Sequence, residues 1–134
     1  MDVKDYFADY TSFVDAVTAE VSRKDDLFAE RFAELSKQLN GNYSRLDNAV
    51  AGLMSESGEV GDLWKKVKYH GLAYDEESKQ KFIKELGDVC WYLFQTALAL
   101  NISVKEIIDT NIEKLKLRHP HGFSSAYMYD KKSG

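Results

Sequence analysis

The chain has 134 residues, 44% hydrophobic and 30% charged, with 18 Lys and Arg against 22 Asp and Glu for a formal net charge of −4. That size and apolar content fit one folded domain, and the acidic balance speaks against a sequence-independent nucleic-acid binder. The single Cys90 excludes an internal disulfide and a zinc cluster and fits a reducing cytoplasm, the host's if the source is viral; no apolar run reaches the roughly 18 residues of a membrane span and no signal-peptide pattern opens the chain.

One Pro and eight Gly leave long uninterrupted stretches, and the hydrophobic period is helical throughout. Tyr6, Tyr10, Phe13, Val14 and Val17 make the stripe of a first helix, which Ser22-Arg23-Lys24 interrupts. Asp25 or Asp26 is placed to cap a second helix with the stripe Phe28, Phe32, Leu35 and Leu39. Asn40-Gly41-Asn42 is a turn signal, after which Ser44 opens a long third helix to about His70, with Gly71 just past its end. A polar loop, Leu72 to Ser78, precedes a fourth helix to about Leu100, closed by Asn101. Ser103-Val104-Lys105-Glu106 matches a capping box for a fifth helix, which runs to about Arg118 and is stopped by Pro120. His121 to Gly134, rich in Ser, Gly and Tyr, reads as an extended or disordered tail. Five helices with short connections predict an all-α bundle.

The chemistry concentrates on the two long helices. Glu56-Ser57-Gly58-Glu59 and Glu85-Leu86-Gly87-Asp88 each place two carboxylates three residues apart, on one helix face. Val50, Leu53, Met54, Val60 and Leu63 surround the first pair, and Leu86, Val89, Trp91, Leu93 and Phe94 the second. Acids set in such apolar surroundings are expected to face a bundle interior, where uncompensated negative charge is costly. Four oxygen donors with no His or Cys nearby suit the hard cations Mg²⁺ or Mn²⁺. Gly52, Gly58, Gly61 and Gly87 interrupt these helices; each costs up to about 1 kcal/mol relative to Ala, which points to close helix approach or room for a ligand. An isolated E-x-x-E pair is common on solvated helix faces, so the weight rests on finding two.

Asn111, Lys114 and Arg118 share one face of the last helix, and a cation pair of this kind suits phosphate oxygens. Lys66, seven residues after Glu59, Tyr92, four after Asp88, and Asn48, ahead of Gly52 and Glu56, are further candidates for contact with a bound substrate.

These residues resemble the MazG-like all-α nucleoside triphosphate pyrophosphohydrolases, a family with all-α dUTPase and dCTPase relatives. The resemblance is carried by Gly52-Leu53-Met54-Ser55-Glu56-Ser57-Gly58-Glu59-Val60 with Lys65-Lys66, by Glu85-Leu86-Gly87-Asp88-Val89-Cys90-Trp91-Tyr92-Leu93, and by Asn111-Ile112-Glu113-Lys114-Leu115 with Arg118-His119-Pro120. Tyr10-Thr11-Ser12-Phe13-Val14-Asp15 looks like the opening helix of short stand-alone members, several of them viral. The similarity runs over roughly residues 6 to 123 and departs at His119, where relatives often carry Tyr. It implies one catalytic domain over 1–123 with a tail at 124–134. The implied reaction is hydrolysis of a nucleoside triphosphate between its α and β phosphates, giving the monophosphate and pyrophosphate, with a deoxynucleotide such as dGTP the candidate substrate. Glu56, Glu59, Glu85 and Asp88 would then be the catalytic metal ligands, holding two or more Mg²⁺ or Mn²⁺ ions, and Lys114 and Arg118 would grip the β and γ phosphates.

One further metal class is excluded, and one enzymatic and one non-enzymatic alternative stand beside this reading. A ferritin-like di-iron bundle needs E-x-x-H, but the residues three before His70, His119 and His121 are Val67, Lys116 and Arg118. A dUTPase- or dCTPase-like member would prefer a pyrimidine, with Phe13, Asn48 and Trp64 as candidates for reading the base. A helical interaction module would leave the acids as surface charge. The apolar residues Tyr6, Tyr10, Phe28 and Phe32 are enough to cover a neighbouring chain, and the resemblance implies a homodimer or a tetramer built from dimers. The expected ligand is thus a nucleotide, with no nucleic-acid polymer and no membrane as partner.

Overall fold

The structure is a computed structural model that describes residues 3–123; the tail expected at 124–134 lies outside them. Among the described residues there are five α-helices and no strand: α1 (Val3–Ala16), α2 (Asp25–Gln38), α3 (Tyr43–Tyr69), α4 (Glu76–Leu100) and α5 (Val104–Arg118), with a 3₁₀ turn at Glu20–Ser22 between the first two. The all-α class is as the periodicity predicts. The chain divides into two compact units, Met1–Leu39 and Asn40–Gly134.

In the first unit, α1 ends one residue short of Val17, and the stripe of Tyr6, Tyr10, Phe13 and Val14 is exposed. The 3₁₀ turn packs against the start of α2, where Glu20 takes an ion pair from Lys24 at 3.0 Å and Arg23 lies 3.8 Å from the same carboxylate. Lys24 is the N-cap of α2 and makes no side-chain cap bond. Asp25 and Asp26, expected to cap, lie inside the first turn instead, where their charge opposes the positive end of the helix dipole.

The second unit is organised by α3 and α4, which pack along their length as an antiparallel hairpin. Rising numbers on one helix meet falling numbers on the other: the Asn42 amide donates to the Ala99 carbonyl at 2.8 Å, and Gly52 lies against Tyr92. Asn42, not Ser44, caps α3, its side chain accepting from the Arg45 amide at 3.0 Å. His70 ends α3, Gly71 follows at φ 75°, and the Leu72 amide returns to the Lys66 carbonyl at 3.1 Å, closing the helix as the Gly position predicts. Asp75 caps α4 by accepting from the Ser78 amide at 3.0 Å, so Ser78, expected in the loop, is buried in the first turn. Asn101 ends α4 at φ 56°, and the Ser103 hydroxyl caps α5 by accepting from the Glu106 amide at 3.0 Å.

Small residues pack the end of the hairpin that holds Asn42 and Asn101: Ala49, Ala97 and Ala99 are buried. A β-carbon at Gly41 would fall 2.0 Å from the Ala99 carbonyl oxygen, and one at Gly52 would fall 2.1 Å from Cε1 of Tyr92. Gly41 thus lets the turn before α3 approach the α4 backbone, and Gly52 makes room on α3 for the Tyr92 ring. At Gly58, Gly61 and Gly87 a β-carbon would meet no neighbour within 4 Å among the described residues. Toward the Gly71 end the contact is made by larger side chains, with Leu63 buried and Val67 and Phe82 half-buried. Many of the apolar residues expected to bury the acids are instead on the surface, including Met54, Leu86, Trp91 and Phe94. The reason is the narrow seam of a two-helix contact, which covers one stripe of each helix and leaves its flanks open.

Candidate metal centre

Between the small-residue end and the Leu63 end, the seam is polar. Glu56 of α3 and Glu85 and Asp88 of α4 each offer a carboxylate oxygen, and these atoms lie within 4.8 Å of one another. Glu56 and Glu85 are half-buried and Asp88 is exposed. The arrangement follows from the helix period: Glu85 and Asp88 stand three apart on the side of α4 turned to α3, and Glu56 sits one turn beyond Gly52, where the Tyr92 ring of α4 packs on the α3 backbone.

Crowding of like charge is visible in the proton affinity of Glu56. Its carboxyl is held above the ordinary value of 4.5, first by loss of hydration between the helices and then by the negative charges of Asp88, Glu85 and Glu59. Three convergent carboxylates with hard oxygen donors are a chemical match for Mg²⁺ or Mn²⁺. Because the neighbours acting on Glu56 are all carboxylates, a divalent cation is the natural counterion for the group.

The other sequence-predicted site residues are placed as follows. Glu59 is exposed, one turn along α3 from Glu56, and stands outside the triad while still acting on Glu56 through its charge. Lys66 is engaged by Asp62, Nζ to Oδ2 at 2.7 Å. The pair shows in both partners: the hydrogen bond and charge of Lys66 hold the Asp62 carboxyl below its usual range, and those of Asp62 raise the Lys66 ammonium, with a further contribution from Glu59. Tyr92 packs its ring against Gly52 and meets Trp91 edge to face at 4.8 Å. Asn48 is exposed on α3. Asn111 and Lys114 are exposed on α5 and Arg118 is half-buried at its end, so the face expected from sequence to meet phosphate stands on a different helix from the triad, one that packs against α4. His119 stacks on Phe123 with ring centroids 5.7 Å apart.

Trp64, a candidate for reading a base, lines an apolar cavity of about 650 Å³ with Val67, Tyr74, Phe82, Ile83 and Leu86. At about 100° per residue, Trp64 and Glu59 lie on opposite flanks of the stripe that faces α4. Asp62 is the residue that sequence reasoning passed over; an acid four residues before Lys66 is its only signal in the sequence.

Comparison with known proteins adds two findings. The family of MazG nucleotide pyrophosphohydrolase domains matches residues 45–123, a segment that holds all the acids of the site. The chain is also 31% identical over 78 residues to the Gene 37 protein of Mycobacterium phage L5, covering 58% of this chain and 68% of that protein. No solved structure matches the chain.

Proposed function

Since the chain belongs to the MazG nucleotide pyrophosphohydrolase family, and so to the hydrolases of phosphoric anhydrides, we propose that it cleaves a deoxynucleoside triphosphate between the α and β phosphates with Mg²⁺ or Mn²⁺, releasing the monophosphate and pyrophosphate. The observation that carries this reading is the convergence of Glu56, Glu85 and Asp88 inside the matched segment. Those three residues, with Glu59 beside them, would hold the cations, two or more per site. When bound, the cations neutralise the polyphosphate and make water more acidic.

The chain's own groups do the rest. One of the glutamates, Glu56, Glu59 or Glu85, would take the proton of the attacking water as general base, the alternative being its direct loss to solvent. Lys114 and Arg118 hold the β and γ phosphates and stabilise the leaving pyrophosphate, with Asn111 bonding a phosphate oxygen from the same face. Lys66 adds a cation on the Glu59 side, and Tyr92 and Asn48 border the nucleoside. dGTP is the first substrate to test.

A homodimer, or a tetramer of dimers, is part of the same proposal. Among the described residues no large side chain is completely buried, while Trp64, Ile83 and Leu86 remain about half exposed, at 51%, 50% and 53%. Apolar surface of that kind around one cavity suits a second copy of the chain.

The test is a panel of canonical dNTPs and NTPs with Mg²⁺ or Mn²⁺, scoring monophosphate and pyrophosphate. Glu56→Gln and Asp88→Asn are expected to abolish turnover with the helical circular dichroism intact. Full activity in either variant, or turnover undiminished by EDTA, overturns the metal reading; release of orthophosphate in place of pyrophosphate overturns the bond assigned.

A further inference from the structure

Helical side chains lean toward the N-terminus of their own helix. The stem of Lys66 therefore runs back along α3, over Asp62 at one turn and toward Glu59 at two. Counted at about 100° per residue from Glu56, these three lie about 60°, 80° and 120° to the same side, in the order Glu59, Lys66, Asp62. The ammonium is thus on the acid-bearing flank, and Glu59 already acts on it electrostatically. A flexible cation beside an excess of carboxylates would be drawn onto them. It is instead held by Asp62 at 2.7 Å, in the acid-before-base order that favours an i, i+4 pair.

We propose that Asp62 is a positioning residue that parks Lys66 one turn away from the metal centre, so that its ammonium does not neutralise Glu59 and Glu56 and compete with the divalent cation. This rests on the proposed role of those acids as cation ligands. Without Asp62, the next carboxylate along the path of the lysine stem is Glu59. Lys66 then becomes an internal competitor for the site. With Asp62 present, the ammonium stays on the correct flank for an incoming polyphosphate, whose charge is large enough to draw it away from a single exposed partner.

The experiment is calorimetric titration of Mn²⁺, at low ionic strength and without nucleotide, into wild type, Asp62→Asn, Lys66→Met and the double variant. Parking predicts that Asp62→Asn weakens Mn²⁺ binding by about two- to fivefold when Lys66 is present, the range expected of an exposed ion pair. The same substitution in the Lys66→Met background leaves the dissociation constant nearly unchanged, because the competitor is gone. Asp62→Glu, which keeps a partner for Lys66, binds Mn²⁺ as wild type does.

Equal weakening by Asp62→Asn in both backgrounds overturns the proposal, since Asp62 would then act only through its own charge. So does an Asp62→Asn variant that binds as wild type does. A wild-type protein that binds no Mn²⁺ overturns the metal reading itself, and this inference with it.

Discussion

The ring of Tyr92 occupies the space in which residue 52 would carry its β-carbon: a methyl group on Gly52 would fall 2.1 Å from Cε1. Each residue is one helical turn from an acid of the triad, Gly52 from Glu56 and Tyr92 from Asp88. The packing of ring on backbone therefore sets how closely α3 and α4 approach where their carboxylates meet.

Gly52→Ala forces the ring or the helices apart and is expected to destabilise the protein by about 1–3 kcal/mol, the usual cost of overpacking. It should weaken Mn²⁺ binding as well, by moving Glu56 from Glu85 and Asp88. Gly58→Ala, with no neighbour within 4 Å of the new carbon, is expected to gain about 0.5–1 kcal/mol from helix propensity. Urea unfolding of both variants checks the contrast in sign.

The raised proton affinity of Glu56 makes metal-free stability depend on pH. Below the ordinary value of 4.5 Glu56 is protonated both folded and unfolded, and its crowding costs nothing. As pH rises through and beyond that value the unfolded state releases the proton first, so Glu56 lowers stability until the folded form has ionised too. Melting temperatures in EDTA should therefore show Glu56→Gln level with wild type near pH 4 and above it at pH 7–8. Saturating Mn²⁺ should reverse the order at pH 7–8. Asp75 has the opposite sign: its carboxyl is held low first by the Ser78 amide, and the stability it gives above its ordinary 3.8 is lost as pH falls through the lowered value.

Ser103→Ala removes the acceptor for the Glu106 amide and should cost about 1 kcal/mol of stability, as for other N-caps. Since α5 carries Lys114 and Arg118, a frayed first turn that leaves KM unchanged would show that the far end of the helix holds its place independently.

Much of this was legible before the structure. The Gly71, Asn101 and Ser103 signals end or begin helices where expected, because each satisfies backbone groups through local geometry alone. Three-residue spacing placed Glu56 with Glu59 and Glu85 with Asp88 on their helix faces; the apolar context did not bury them, and only Glu56, Glu85 and Asp88 come together. What was not readable depends on contact between helices. Four glycines looked alike in sequence, yet only Gly52 of them meets another side chain, and that depends on Tyr92 arriving opposite it. Likewise Glu59 resembles Glu56 in its motif but turns to the flank, since a two-helix seam has room for one stripe. Asp62 was overlooked for a different reason: its partner is local, and local ion pairs are too common to single out.

Leu86→Glu places a charge among Trp64, Val67, Phe82 and Ile83 in the cavity wall. If a second copy covers this face, light scattering should show the variant as a monomer where wild type is a dimer or larger. A wild-type protein that is monomeric and fully active would remove the oligomer from the account while leaving the metal centre in place.

The hydrogen bond from the Asn42 amide to the Ala99 carbonyl fastens the open end of the α3–α4 hairpin, and the short loop after Gly71 fastens the other. With both ends tied, splaying the helices becomes a costly way for the acids between them to relieve their repulsion. The electrostatic stress is thus built into the apo fold before any cation arrives, and a cation that fits recovers it on binding. Affinity for a divalent ion then adds to the resistance of the hairpin to opening, so that a chelator should act on this protein as a mild denaturant.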